Sequence, residues 1–155
     1  MGIVYCVDRE KKITYELWKG TVTASDFILH AEQLVADTDW RDHRCFHIVD
    51  LRDATVDESI DQDTMEDAAD YFGILLYKLP TVKVVIITTD EIEKAVFFGK
   101  YLSHFGHTVK VVKNIKEAVQ YLGLDAGEAK SAFDRLHAVT KKEGRFILPA
   151  SKAVS

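Results

Sequence analysis

His43, Cys45 and His47 stand at alternate positions and carry the nitrogen and sulfur atoms that zinc prefers. A strand running through them puts Cys45 and His47 on one face. A zinc site needs about four converging ligands with an oriented outer shell, and the sequence offers no further cluster. His47 is therefore read as a hydrogen-bonded core histidine, and no metal or other cofactor is expected. A second candidate is acidic: Asp57, Asp61, Asp63, Glu66, Asp67 and Asp70 fall close together, and "DESIDQD" begins with the alternating oxygen ligands of a calcium loop. An EF-hand loop requires Gly at its sixth position and Glu at its twelfth, where this chain has Gln62 and Ala68. These carboxylates are read instead as gathered at a helix N-terminus, where the dipole and unpaired N–H groups favour negative charge. His104 and His107 span the expected end of another helix and are read as C-terminal capping residues.

A third candidate is Asp50, which nearly closes the apolar run "CFHIVDL" at 45–51. "TTD" closes a second apolar run and Lys113 a third, an arrangement that resembles the Asp, Thr and Lys of a response-regulator receiver. That site also needs an acidic pair after its first strand, because phosphoryl transfer requires a metal to neutralise charge. Here "CVDREKK" leads straight into a second strand, so the receiver reading is set aside. Asp50, Arg52, Asp53, Asp57 and Ser59 then form a candidate switch or partner loop. It is expected to be a structural turn, with the Asp50 carboxylate accepting backbone N–H bonds and Arg52 paired to Asp50 or Asp53. No nucleophile–base pair can be assembled, so the expectation is a protein that binds without catalysing.

The elements that must position these residues follow from periodicity. Residues 2–7 and 13–19, joined by "DREKK", read as a hairpin. Ser25 is expected to cap a helix carrying Phe27, Ile28, Ala31, Leu34 and Val35 on one face, which "ADTDWRDHR" ends. The run at 45–51 suits a strand buried on both sides. Met65, Ala68, Ala69, Phe72, Leu75, Leu76 and Leu79 then recur at helical spacing up to Pro80. "TVKVVIITT" is a further strand, 91–105 a helix, "TVKVVK" a strand and "IKEAVQYLG" a helix closed by Gly123. The 91–105 helix has a core stripe of Ile92, Ala95, Phe98, Leu102 and Phe105 and a second stripe of Phe97, Tyr101 and His104. The second stripe is a candidate dimer or ligand surface. Residues 124–155 form an extension with one more helix, carrying Phe133 and Leu136, and an apolar tail interrupted by Pro149.

The expected fold is α/β: a mixed, mostly parallel sheet of about five strands with an N-terminal hairpin, packed by helices. One domain spans 1–123 and the extension 124–155. A 155-residue chain that is 47% hydrophobic can build a full core. Its net charge of −5 argues against a general nucleic-acid binder, which needs a basic face. The segment "MGIVYCVDREKK" lacks the order of a signal peptide, and no apolar run reaches the ~18 residues of a membrane span. With Cys6 and Cys45 read as reduced, buried thiols, a cytoplasmic location is expected.

Taken in order, "ELWKGTVTASDF", "LVADTDW", "HIVDLRDATVD", "VVIITTD", "AVFFGKYL" and "VKVVKNIKEAVQYLG" resemble the SpoIIAA-like family, bacterial proteins within the wider STAS and CRAL-TRIO-like α/β group. The resemblance covers about residues 3–123 and implies a STAS-like regulatory module, non-enzymatic, working through a protein partner; self-association as a homodimer is expected from the second stripe of the 91–105 helix. In STAS antagonists a serine after a central strand is phosphorylated in an Asp-Ser-Ser-Gly setting. Asp57 and Ser59 match that pattern, whereas Glu58 and Ile60 replace its first serine and its glycine. Ile60 disfavours the positive φ that glycine permits, and the nearby carboxylates oppose an added phosphate. The CRAL-TRIO side implies the alternative, a carrier or sensor of a small apolar ligand held between sheet and helices.

Overall fold

The computed structural model describes residues 2–143, and the apolar tail with Pro149 lies outside the described residues. The five strands β1 (Gly2–Asp8), β2 (Ile13–Val22), β3 (Phe46–Val56), β4 (Lys83–Ile87) and β5 (Thr108–Val112) form one sheet in the order β1-β2-β3-β4-β5. The β1–β2 pair is an antiparallel hairpin, and every later pair is parallel. Parallel neighbours need crossovers, and helices supply them: α1 (Ala24–Ala36) and the short α2 (Thr38–Asp42) between β2 and β3, α3 (Gln62–Leu76) between β3 and β4, and α4 (Ile92–Ser103) between β4 and β5. After β5 come α5 (Ile115–Leu122) and α6 (Ala126–Glu143). The α/β class, the hairpin and the parallel remainder match the expectation from sequence. Among the described residues no helix is long and apolar enough to cross a membrane.

Strand alternation divides the core. On one face Val4, Tyr15, Leu17, Ile48, Val85 and Ile87 pack beneath α5 and α6, with Phe133 and Leu136 of α6 fully enclosed. The other face carries Trp18, Leu51, Val84 and Ile86 and is covered by α1, α3 and α4. Each large side chain buried in either layer contributes about 1.5–3 kcal/mol. Gly123 sits at φ +70 as the left-handed cap of α5, a conformation that glycine adopts without Cβ strain. A Cβ at Gly73 of α3 would lie 2.2 Å from the Phe105 ring after α4, so that partly exposed ring would have to move for any larger residue.

Several local expectations are corrected. α1 is capped by Thr23, whose side chain accepts from the Asp26 N–H in a capping box, and Ser25 lies inside the helix. The helix is also turned relative to the expected stripe: His30 is buried and Ile28 is exposed. "TDWRD" forms a helix where a break was expected, because Asp37 caps it with bonds from the Asp39 and Trp40 N–H groups. β3 continues through the segment read as a turn. Beyond Asp50 it has lost β4 as a neighbour and pairs only with Lys19–Val22 of β2, past a bulge. Arg52, Asp53 and Thr55 therefore meet water while their backbone stays in the sheet, which is why the stretch looks turn-like in sequence.

Candidate ligand cavity between sheet and helices

β2 reads "ITYELW", and alternation sends Thr14, Glu16 and Trp18 toward the α1/α3/α4 face. β3 sends His47, Val49 and Leu51 the same way, and the parallel register sets His47 opposite Thr14, one step along the pleat from Glu16. His30 arrives from α1 above. Glu16 Oε1 accepts from His30 Nε2 at 2.7 Å and from His47 Nε2 at 2.9 Å, and Oε2 accepts from Trp18 Nε1 at 2.5 Å. All three partners are buried with it. Burial by itself would push the Glu16 carboxyl up, but the charge and hydrogen bonds of His30 and His47 outweigh it and hold the group well below the usual carboxylate range. Glu16 is thus an anion that accepts three hydrogen bonds, with both oxygens engaged.

Around this centre lies a cavity of about 130 Å³. Trp18, Phe27, Trp40, Phe72 and Phe98 supply aromatic walls, and Val49, Leu51, Met65, Val84 and Ile86 the aliphatic ones. The volume approaches the ~150 Å³ of a buried apolar cavity that admits benzene. At the C-terminal end of β3 the N-terminus of α4 closes over it: the Val56 N–H donates to Glu91 Oε1 at 3.1 Å, and Lys94 Nζ donates to the carbonyls of Val56 and Asp57 at 3.3 and 3.0 Å.

The opposite end is built differently. Arg44 precedes β3, is 7% exposed, and places its guanidinium 4.8 Å over the Trp40 ring. Its Nη2 donates to the Pro80 carbonyl at 2.8 Å, while Nε and Nη1 are enclosed without a partner. Trp40 Nε1 and His30 Nδ1, on two more cavity-lining residues, are likewise enclosed and unpartnered. Beside Arg44, His107 Nδ1 accepts from the Val82 N–H at 3.1 Å, and burial first and the Arg44 charge second push its pKa down. His107 therefore belongs to the cavity wall and is not a helix cap, in contrast to the expectation.

No family model matches the chain, and no curated protein resembles it in sequence. Function must therefore be read from the geometry.

The residues singled out from sequence lie mostly outside the cavity. Asp50 points to the opposite face, is 2% exposed, and accepts from Arg52 N, Nε and Nη2 at 3.0, 3.0 and 2.9 Å, so Arg52 pairs with Asp50. Asp53 instead faces His137 Nε2 of α6 at 3.6 Å. Asp57 and Ser59 form the tight turn after β3. The Ser59 hydroxyl donates to Asp57 Oδ2 at 2.5 Å and accepts from the Ala24 N–H at 3.0 Å, tying that turn to the start of α1. The Ser59 hydroxyl first and the Ser59 backbone N–H second hold Asp57 below the ordinary carboxylate range. Asp61 caps α3 by accepting from the Thr64 N–H at 2.9 Å, in line with the helix-terminus reading of the acidic run.

On α4 the core stripe supplies Ala95, Phe98 and Leu102 to the cavity wall. Ile92 and Phe105, expected in that stripe, are instead 44% and 38% exposed. Of the second stripe, Phe97 and Tyr101 are half-buried with ring centroids 5.0 Å apart, and the Tyr101 hydroxyl lies 3.3 Å from Glu66 of α3; His104 is exposed. Cys6 is buried, with its thiol pushed up to about 12 chiefly by burial, whereas Cys45 is exposed and precedes β3. His43 Nδ1 faces the Asp39 carbonyl at 2.9 Å, and the described residues hold no His/Cys/Asp/Glu group able to bind a metal. Sequence reasoning missed Glu16, His30 and Arg44. The signals available were a glutamate alternating with apolar residues in a strand, and a histidine at the core spacing of Phe27, Ala31 and Leu34.

Proposed function

We propose that this protein binds a small apolar molecule in the cavity between the sheet and α1, α3 and α4, and serves as its carrier or sensor. The observation that carries this reading is an aromatic-walled space of about 130 Å³ in the middle of the domain. Close packing normally leaves few voids larger than a water molecule, and apolar space of this size favours an apolar guest. The switch-loop reading has less support, since the Ser59 hydroxyl is already engaged at the start of α1. The test uses neutral probes. Benzene or toluene at a hundredfold excess over its dissociation constant should stabilise the fold by ~2.7 kcal/mol. Ala31→Leu, which extends a cavity-wall side chain into the space, should remove that response. A melting temperature that is flat for every neutral apolar probe sinks the proposal.

A second reading, a homodimer through α4, is favoured by one observation. Ile92 and Val96 lie one helical turn apart and are 44% and 43% exposed beside Phe97. Sedimentation velocity of the wild type and of Val96→Glu decides it: a wild-type dimer that the substitution turns into monomer supports this interface, and a wild-type monomer removes it.

A further inference from the structure

The polar groups in the cavity are of two kinds, and the contrast between them indicates the ligand's chemistry. At Glu16 the anion is matched by donors from His30, His47 and Trp18, so its charge is compensated within the protein, and the unpartnered atom of the cavity lining there is His30 Nδ1. At Arg44 the balance is reversed. Arg44 forms no ion pair with any carboxylate among the described residues, and its one hydrogen bond goes to a neutral carbonyl. Burying an unpaired charge costs several kcal/mol, and burial does pull this guanidinium below its ordinary value. Arg44 Nε, Arg44 Nη1 and Trp40 Nε1 can only donate. Each is enclosed without an acceptor, and the two side chains are stacked on one another. His107 adds to the same sense: with Nδ1 accepting from Val82, the neutral ring carries its proton on Nε2, another donor in the cavity wall. This end of an otherwise apolar space is thus rich in donors, holds one fixed positive charge, and lacks an acceptor for them.

We infer that the ligand is a small organic acid, its carboxylate seated on Arg44 and Trp40 and its apolar body among Phe27, Phe72 and Phe98. This rests on the cavity being a ligand site and adds the head group. A carboxylate accepts charge-assisted hydrogen bonds from guanidinium N–H groups, and Nε and Nη1 of Arg44 are the two without an acceptor. One uncompensated cation matches a monoanion better than a phosphate dianion, since the other cation on the wall, Lys94, is occupied by the Val56 and Asp57 carbonyls at the far end. The volume limits the body to about one ring or a short chain.

The test compares acids with neutral isosteres of the same shape. Calorimetric titrations of the full chain with benzoate and hexanoate, and with benzamide and hexanamide, should show each acid bound at least tenfold more tightly than its amide. Arg44→Met keeps the length of the side chain and removes the charge, so it should abolish the preference while toluene still binds. Trp40→Phe removes one donor without touching the charge and should weaken the acids severalfold more than the amides, narrowing the preference. It decides the matter should Arg44→Met fail to fold. Acids and amides binding alike, or a preference that survives both substitutions, would overturn the head-group assignment and leave the apolar cavity standing. Toluene binding without any acid binding has the same meaning. Failure of toluene, acids and amides together would remove the cavity reading and this inference with it.

Discussion

Replacing Glu16 with leucine should be among the most damaging single changes in this protein, although leucine is of similar size and more apolar. The carboxylate accepts at 2.5, 2.7 and 2.9 Å from Trp18, His30 and His47, and all three are buried. Glu16→Leu leaves all three ring nitrogens without their partner, at about 1–3 kcal/mol for each buried group left unsatisfied. The leucine offsets part of this through added apolar burial, about 1 kcal/mol. Three such groups less that offset give about 2–8 kcal/mol; a net loss of about 3–5 kcal/mol, the range found when one member of a buried pair is removed, lies within it and is the value expected. It would lower the melting temperature by roughly 10 °C for a domain of this size. Glu16→Gln should cost much less, because its oxygen can face Trp18 while its amide donates to histidine nitrogens in the other tautomer. Because the folded-state pKa of Glu16 lies below its unfolded value, the charge contributes fully above the ordinary glutamate value near ~4.3. Its contribution is lost as pH falls through the lower folded value. Urea unfolding of the wild type and both variants, at pH 7 and down the acid limb, checks each part. A Glu16→Leu variant within about 1 kcal/mol of the wild type, or an acid limb whose slope is unchanged in Glu16→Gln, would refute the account of Glu16 as a buried, ionised hub.

Asp50→Asn should lower stability by about 1–3 kcal/mol in chemical denaturation, since it discharges a buried acceptor of three Arg52 bonds; because Arg52 is partly exposed, the lower part of that range is expected. Ser59→Ala should lose less stability than Asp50→Asn, removing only the contacts to Asp57 and Ala24, and should leave toluene and benzoate affinities unchanged in calorimetry. Should Ser59 prove stoichiometrically phosphorylated in cells, the turn would have to release the Ala24 N–H, and the start of α1 would show faster amide exchange. A Ser59→Asp variant with wild-type exchange in α1 would exclude that coupling.

The order of elements was legible in the sequence because local periodicity writes it: alternation marks β2, unbroken apolar runs mark the start of β3 and β4, and Gly123 ends α5 by its left-handed φ. The gathering of carboxylates at the start of α3 was also readable, since Asp61 acts on the N–H of Thr64 only three residues away. The length of β3 was not, because "RDAT" stays in the sheet only through backbone bonds to β2, a partner some 35 residues earlier in the chain. The cavity was hidden for the same reason on a larger scale. Glu16 meets His30 and His47 across 14 and 31 residues, and Arg44 meets the Pro80 carbonyl across 36. No local pattern distinguishes a histidine that completes such a centre from one that merely fills the core. The parallel register of β2 and β3 and the rotation of α1 bring these groups together. Tertiary packing alone decides that Glu16 finds three donors while Arg44 and Trp40 keep unpaired ones.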